Sequence, residues 1–365
     1  MRLALSFAFL VFLNACSPDE NVPLIRQYEV VWEANLLERY ADNDPLPSQW
    51  PFFSHAFINP NGNIYIIHSP ADYSDATTLT LLDEAGGFVN DITLHGEYIF
   101  DVSANQAGLM LTLSRQENNY VIKLWDENLN STELKILPEP AYFHHFTING
   151  DHYYEIRLST TAHSFSIYRF DLDSHVQWTR PLSSFGISGF TAPLFFPETD
   201  DFLLVRNNSA YDSLVIARGS GSTGNTKWLK KFSLAELGAV NYLPKTIPLK
   251  DGSVMIFSKF RYRKLSHQGL TLSSGILGNT QNVNESFISH CFLEQDGGYL
   301  IASSFAQEEG WHGFRLLKTD SRFNVGWVGN FHQSVPGYLI SVKQKDDTRI
   351  FLTSNGYVYA IKPVR

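Results

Sequence analysis

Residues 348–365 read TRIFLTSNGYVYAIKPVR. Ile350, Leu352, Tyr357, Tyr359 and Ile361 alternate with polar or small residues on either side of Ser354-Asn355-Gly356. Apolar and aromatic residues at every second position, broken by Asn-Gly, read as two strands and a tight turn. Earlier stretches of the same kind run on into a further strand that usually carries a Trp. No such strand follows here. Its pattern stands instead in Tyr28–Leu36, YEVVWEANL, with Trp32 at its centre. The expectation is that this segment completes the unit begun by residues 348–365.

Working outward, the same unit recurs through the chain. Second strands are expected at 63–68, 109–113, 152–156, 202–206, 254–258, 299–303 and 349–353. Between Ile64, Leu109, Tyr153, Phe202, Val254, Tyr299 and Ile350 the spacing is 44 to 52 residues, the period of propeller blades. Each strand follows a turn rich in Gly, Asp or Asn, such as Asn61-Gly62, Asp251-Gly252 or Asp296-Gly297-Gly298. These residues tolerate the positive φ that tight hairpins need. Third strands then lead through short turns to Trp178, Trp228, Trp327 or, in the first unit, Phe88. A bulky residue on a regular repeat is expected to lock one unit onto the next. Residues 37–52, rich in Asp and Pro, read as a connection, because Pro removes ladder donors. The expected fold is all-β: a seven-bladed β-propeller of four-stranded antiparallel blades, with the N-terminal strand 28–36 completing the last blade. Such pairing removes free sheet edges.

Composition agrees. The chain of 365 residues is 44% hydrophobic and 14% aromatic, so it can bury a large core and is not a disordered chain. Charged residues are only 18%, while Tyr and Phe number 17 and 27, which suits short strands better than long helices. A net charge of −9 and the absence of a dominant basic cluster exclude binding of nucleic acid by phosphate neutralisation.

Cys16 and Cys291 are the two cysteines, too few for a disulfide framework or a cysteine-rich zinc site. Cys16 ends MRLALSFAFLVFLNAC, in which Arg2 precedes an apolar run from Leu3 to Leu13. That run is too short to span a bilayer and reads as a secretory signal. Leu13-Asn14-Ala15-Cys16 resembles the bacterial lipobox, whose Cys is lipid-modified. The resemblance implies a signal peptide over 1–15, a lipid-anchored tether over 16–26 and a single propeller domain over 27–365. Acyl chains on Cys16 would hold the protein on a bacterial membrane. Ser17, rather than Asp, favours the outer membrane over the inner one.

Gly356-Tyr357-Val358-Tyr359-Ala360-Ile361 and Thr223-Gly224-Asn225-Thr226-Lys227-Trp228 resemble the repeats of PQQ-like, or quinoprotein-type, propellers. The likeness spreads over about residues 53–365, but only these two stretches match well. It implies the fold and not the cofactor. Quinoprotein dehydrogenases use a vicinal Cys pair, which this chain lacks, so PQQ chemistry is disfavoured and no cofactor is expected. Most blades also lack the full Trp-docking turn of that family. An outer-membrane assembly lipoprotein of the same broad class is the functional analogue, by fold alone.

One constellation could carry chemistry. His55, His144 and His290 each stand two residues before a Phe (Phe57, Phe146, Phe292) on a first strand. First strands line a propeller's channel, and imidazole is a common metal ligand. Cys291, next to His290, should face the other way. No carboxylate is tied to these histidines, and no phosphate loop or nucleophile elbow is present. Arg261, Arg263 and Lys264 form the densest basic run, expected in a loop after a second strand. Trp311 is expected in a loop between second and third strands. These four are candidate partner contacts. The favoured function is a non-catalytic protein-binding or scaffold module of the cell envelope, with an envelope protein as partner. The alternative is a channel-centred metal or carbohydrate-like ligand binder, or a lyase-type enzyme, using His55, His144 and His290.

Overall fold

The structure is a computed structural model. It describes residues 28–36, 52–58, 62–69, 76–95, 98–105, 109–116, 119–126, 130–138, 143–159, 164–208, 212–238, 244–258, 261–277, 286–307, 310–332, 339–345 and 347–364. The signal peptide, Cys16 and the tether lie outside these residues, as does most of the 37–52 connection.

Strand β1 (Tyr28–Asn35) stands apart in sequence from its sheet. The first blade is β2 (Phe52–Ile58), β3 (Ile64–Ser69), β4 (Ala76–Leu82) and β5 (Phe88–His95). The second is β6 (Tyr98–Ala104), β7 (Met110–Gln116), β8 (Asn119–Trp125) and β9 (Ser131–Pro138). The third is β10 (Phe143–Asn149), β11 (His152–Ser159), β12 (Ser164–Asp171) and β13 (Val176–Pro181). The fourth is β14 (Leu194–Phe195), β15 (Phe202–Asn207), β16 (Ser213–Gly219) and β17 (Thr226–Ser233). The fifth is β18 (Lys245–Pro248), β19 (Val254–Ser258), β20 (Arg261–Leu265) and β21 (Thr271–Ile276). The sixth is β22 (Ser286–Leu293), β23 (Tyr299–Gln307), β24 (Gly310–Thr319) and β25 (Val325–His332). Strands β26 (Leu339–Lys345), β27 (Thr348–Thr353) and β28 (Tyr357–Pro363) follow, and β1 completes their sheet in the order β1-β28-β27-β26. The fold is therefore a seven-bladed propeller of four-stranded antiparallel blades, as expected.

The closure is a full ladder. Tyr28 lies opposite Pro363 and Asn35 opposite Tyr357, and the Leu36 amide donates to the Gly356 carbonyl at 3.1 Å. First strands of neighbouring blades touch one another, β2 with β26, β6 with β10 and β18 with β22, so they ring the axis. The core is divided among the spaces between blades. One cluster joins the third and fourth blades through Tyr154, Trp178, Phe185 and Phe202. Another joins the seventh and first through Leu36, Ile66, Leu352 and Val358. Each blade thus buries its apolar faces only against its neighbours, and the ring supplies every face with a partner.

The turns between third and fourth strands follow one design. The first turn residue caps the turn with its side chain. Asp83 Oδ1 accepts the amides of Ala85 and Gly87, Asp320 Oδ1 those of Arg322 and Asn324, and Ser266 Oγ those of Gln268 and Leu270. A left-handed residue then turns the chain: Gly86, Gly224 and Gly269 in three blades, but Ser174 and Phe323 in two others, each at φ 66°. Onto each of those glycines packs a Trp from the preceding blade. The indole N–H donates to the carbonyl of the second turn residue: Trp32 to Glu84 at 3.0 Å, Trp178 to Gly221 at 2.7 Å and Trp228 to His267 at 2.8 Å. A β-carbon on Gly86, Gly224 or Gly269 would stand 2.5, 2.8 or 2.9 Å from the ring. Trp178, Trp228 and Trp32 are therefore packing residues between blades. Trp docking recurs at three interfaces, more widely than the Thr-Gly pattern in the sequence indicated, because Gly86 and Gly269 serve without a preceding Thr.

Phe88 does not lock the first blade. It is 41% exposed and stands in the register position of Val176 and Thr226, while Asn90 holds the position of Trp178 and Trp228.

Candidate functional site

Strand register decides which inner-strand residues share one level of the channel wall. His55 pairs with Ile67, and His290 with Ala302. Both partners stand three residues after the residue that opens the second strand, Ile64 or Tyr299. In the third blade the corresponding partner is Ile156, and it pairs with His145. The sequence alignment had placed His144 there. The length of one turn shifts it, and the bulge keeps the same place as in the other blades. The link between Ile148 and Tyr153 spans one residue fewer than that between Ile58 and Ile64. His144 is itself the bulge residue, passed over between Phe143 and His145. A bulge re-aims the side chains around it, and similar irregularities occur in β2, β6, β22 and β26.

The same level contains three residues that the alignment of histidines missed, one of them Ser341, which pairs with Leu352. Lys245 pairs with Phe257 and Asp101 with Leu113, again three residues beyond Val254 and Met110. For Lys245 the signal was a fixed step: His55, Lys245 and His290 all stand nine residues before their second-strand markers Ile64, Val254 and Tyr299, while Asp101 stands eight before Leu109. His55, His145 and His290 are half-buried. The side chain of Lys245 is exposed, yet desolvation by surrounding protein lowers its pKa. Accessible to solvent but closely surrounded describes a group on the wall of a channel. In the fourth blade β14 is only two residues long, and Thr191 ahead of it donates to the Val205 carbonyl at 2.7 Å.

Cys291 does face away from His290. It is buried between the fifth and sixth blades with Met255, Phe257 and Ile301. Burial pushes its thiol pKa well up, so the thiolate, the reactive form, is suppressed. Among the described residues, one trio of His, Cys, Asp and Glu brings its ligand atoms within 4.8 Å of one another: Asp171, Asp173 and His175. It is an outer turn. Asp171 is held below the usual carboxylate range first by the backbone N–H of His175, and it also accepts the Asp173 amide. Its oxygens are committed to the turn. His55, His145 and His290 do not form such a trio.

The basic run is not in a loop. Arg261, Arg263 and Lys264 belong to β20, the third strand of the fifth blade. Arg263 lies over the Phe232 ring at 5.0 Å, and Arg261 packs its stem against Gly238. Lys264 pairs with Asp251 at 3.0 Å and donates to the Tyr299 hydroxyl at 3.0 Å. Burial opposes its charge, but those two bonds outweigh burial and raise its pKa. Long cationic side chains can lie in a strand when their stems cover apolar neighbours. Trp311 likewise belongs to a strand, β24, opposite Ala306, while its side chain lies outside the description.

Lys264 is one of a series. Arg169, Arg218, Lys264 and Lys318 occupy equivalent places in four successive third strands, each two residues before the outer turn. They pair with Asp200, Asp201, Asp251 and Asp296. Arg218 also donates to the carbonyls of Gly252 and His267 in the next blade, at 2.9 and 3.3 Å, and Arg169 to Gly221 at 2.6 Å. Arg349 of the seventh blade meets Glu294 of the sixth, which also accepts the Tyr28 hydroxyl at 2.6 Å. A buried charge needs a partner and hydrogen bonds to be tolerated. Asp200 and Glu294 lie across a blade boundary from Arg169 and Arg349, whereas Asp201, Asp251 and Asp296 belong to the same blade as their partners; Arg218 and Lys264 reach the next blade through Gly252, His267 and Tyr299.

No family model and no curated protein sequence matches the chain. Solved structures match by shape. A catalytically inactive virginiamycin B lyase from Staphylococcus aureus with quinupristin gives a TM-score of 0.58 at 11% identity, over 93% of this chain and 100% of that one. YCF48 bound to D1 peptide gives 0.58 at 10% identity, over 93% and 97%. The β-propeller domain of the Trilobed protease from Pyrococcus furiosus, described as having an open velcro topology, gives 0.52 at 9% identity, over 84% and 90%. The ring here is closed by β1. At these identities the likeness establishes the fold: this chain is a β-propeller.

Proposed function

We propose that the chain is a lipid-anchored protein of the bacterial envelope, on the outer membrane, whose propeller binds another protein without catalysis. The observation that carries this reading is the commitment of third-strand cations to bonds within and between blades. Arg169, Arg218, Lys264 and Arg349 each bond to a neighbouring blade and Lys318 pairs within its own, and these bonds stiffen the ring. A rigid ring presents preformed surface, which lowers the ordering cost of binding. Strand β21 offers an apolar strip on its outer side, with Leu272 and Ile276 at 58% and 64% exposure. YCF48, whose structure is described as bound to D1 peptide, has this fold and supports a protein partner. The lipobox-like Leu13-Asn14-Ala15-Cys16 supports the anchor, and no described helix is long and apolar enough to cross a membrane.

Two experiments test it. A photo-crosslinking residue at 272 or 276 should give a discrete protein adduct in cells, while one at exposed Asp173 should not. No adduct at either position overturns the partner surface. Cys16→Ser should release the chain from the membrane fraction, and a variant that stays bound refutes the anchor. The second reading, a channel ligand or lyase-type activity, is favoured by the shared level of His55, His145 and His290.

A further inference from the structure

One level of the channel wall gathers His55, His145, Lys245 and His290 from four different blades. Lys245 decides what kind of ligand this level suits. Its side chain is accessible, and no described carboxylate pairs with it. Burial is the sole cause of its lowered pKa, so the ammonium loses solvation without gaining a counter-charge. Asp101 holds the level's position in the second blade. An uncompensated, desolvated cation is costly, and an anion placed beside it offsets that cost. Imidazole N–H groups add donors to the same ligand. The histidines do not close into a metal-ligating trio, and a lysine ammonium would repel a metal cation.

We propose that the channel binds a small polyanion, bearing carboxylate or phosphate groups, against Lys245, with His55, His145 and His290 donating to it. This inference does not depend on the protein-binding reading, and either can fail alone.

The test uses the purified chain with inorganic phosphate and, separately, citrate. Titration calorimetry measures binding. Labelling with an amine-reactive reagent, read by mass spectrometry, measures access to Lys245. One of the two anions should bind at one site per chain and slow labelling of Lys245 relative to exposed Lys250 and Lys231. Lys245→Met should weaken that binding about tenfold or more, Lys245→Arg should retain it, and the His55→Gln/His290→Gln double variant should weaken it too. Protection by phosphate alone assigns a phosphate ligand, and protection by citrate alone a carboxylate. Thermal unfolding confirms that each variant is folded. Because Lys245 makes no described pair, Lys245→Met should keep the wild-type midpoint. The proposal is overturned if neither anion protects Lys245, or if Lys245→Met binds as wild type does.

Discussion

The interface from the third to the fourth blade and the interface from the fifth to the sixth solve one packing problem in opposite ways. At the first, Trp178 reaches across from a fourth strand, and Gly224 in the receiving turn makes room for it. At the second, Ser273 stands in the register position of the Trp, and the receiving turn carries Phe323. Phe323 is buried. It stacks on Tyr262 at 3.8 Å and on Tyr299 at 4.4 Å. Gly275 beside Ser273 lies within 3.1 Å of where its β-carbon would meet the Tyr262 ring, so nothing larger fits there without movement. The aromatic volume has moved from the strand to the turn. That move places a bulky residue at φ 66°, a conformation that disfavours side chains. The burial of the phenyl ring outweighs that strain. Volume at a blade interface is thus conserved, while the residue that provides it is not.

The largest way to break this comparison is to open the ring. Removing residues 350–365 deletes β28 and most of β27 and strips β1 of its partner. Cooperative thermal unfolding, followed by circular dichroism, should be lost for all blades; a truncated chain with the wild-type midpoint would contradict the closure. Trp178→Ala removes a buried indole and its hydrogen bond, and should destabilise by about 3–5 kcal/mol in denaturant titration. A loss below about 1 kcal/mol would show that Trp docking is incidental.

The third prediction uses pH. His68 is buried, and its Nε2 lies 3.1 Å from Thr80 Oγ1, which donates to Asp91 at 2.7 Å. Burial pushes its pKa down to about 4, against the nearby Asp91 charge. Between about pH 6.5 and 4 the unfolded chain takes up a proton that the native imidazole does not, so stability falls as the pH drops through that window, by about 3 kcal/mol in all. Buried Glu155, whose pKa burial raises, acts with the opposite sign above its ordinary value. The informative quantity is therefore the difference between wild type and His68→Leu, and parallel pH profiles would refute it. The smallest effect sharpens the comparison most. Phe323→Gly should destabilise by about 3 kcal/mol, and adding Ser273→Trp should return about 1 kcal/mol of it, as a positive coupling in a double-mutant cycle. Additive losses would mean that the two interfaces are not interchangeable.

Much of the fold was legible. Second strands expected at 152–156, 202–206 and 254–258 lie within β11, β15 and β19, because Asp, Asn and Gly turns bound apolar runs. Tyr28–Leu36 was legible as the missing strand because its Trp pattern had no turn to follow. The basic run was not legible as strand. Adjacent Arg and Lys read as solvated until Phe232 and Tyr299 are seen to cover them. Phe88 was misread because it stands two residues nearer the turn than the Trp position, where Val176 and Thr226 stand in the third and fourth blades. At the channel, His55 and His290 were placed correctly on their strands, and His144 gave way to His145.

By itself, the sequence determined the repeat, the four-stranded unit and the closure of the seventh blade. Those properties depend on alternation and turn chemistry, which are local and survive any comparison along the chain. The tertiary structure decided which residues meet. Trp178 finds the Gly221 carbonyl 43 residues away, and a turn shorter by one residue exchanges His144 for His145. A strand's side chains alternate with period two, so one inserted residue reverses every face beyond it. Lys245 joins the histidines only because a ring brings separate first strands to the same axis.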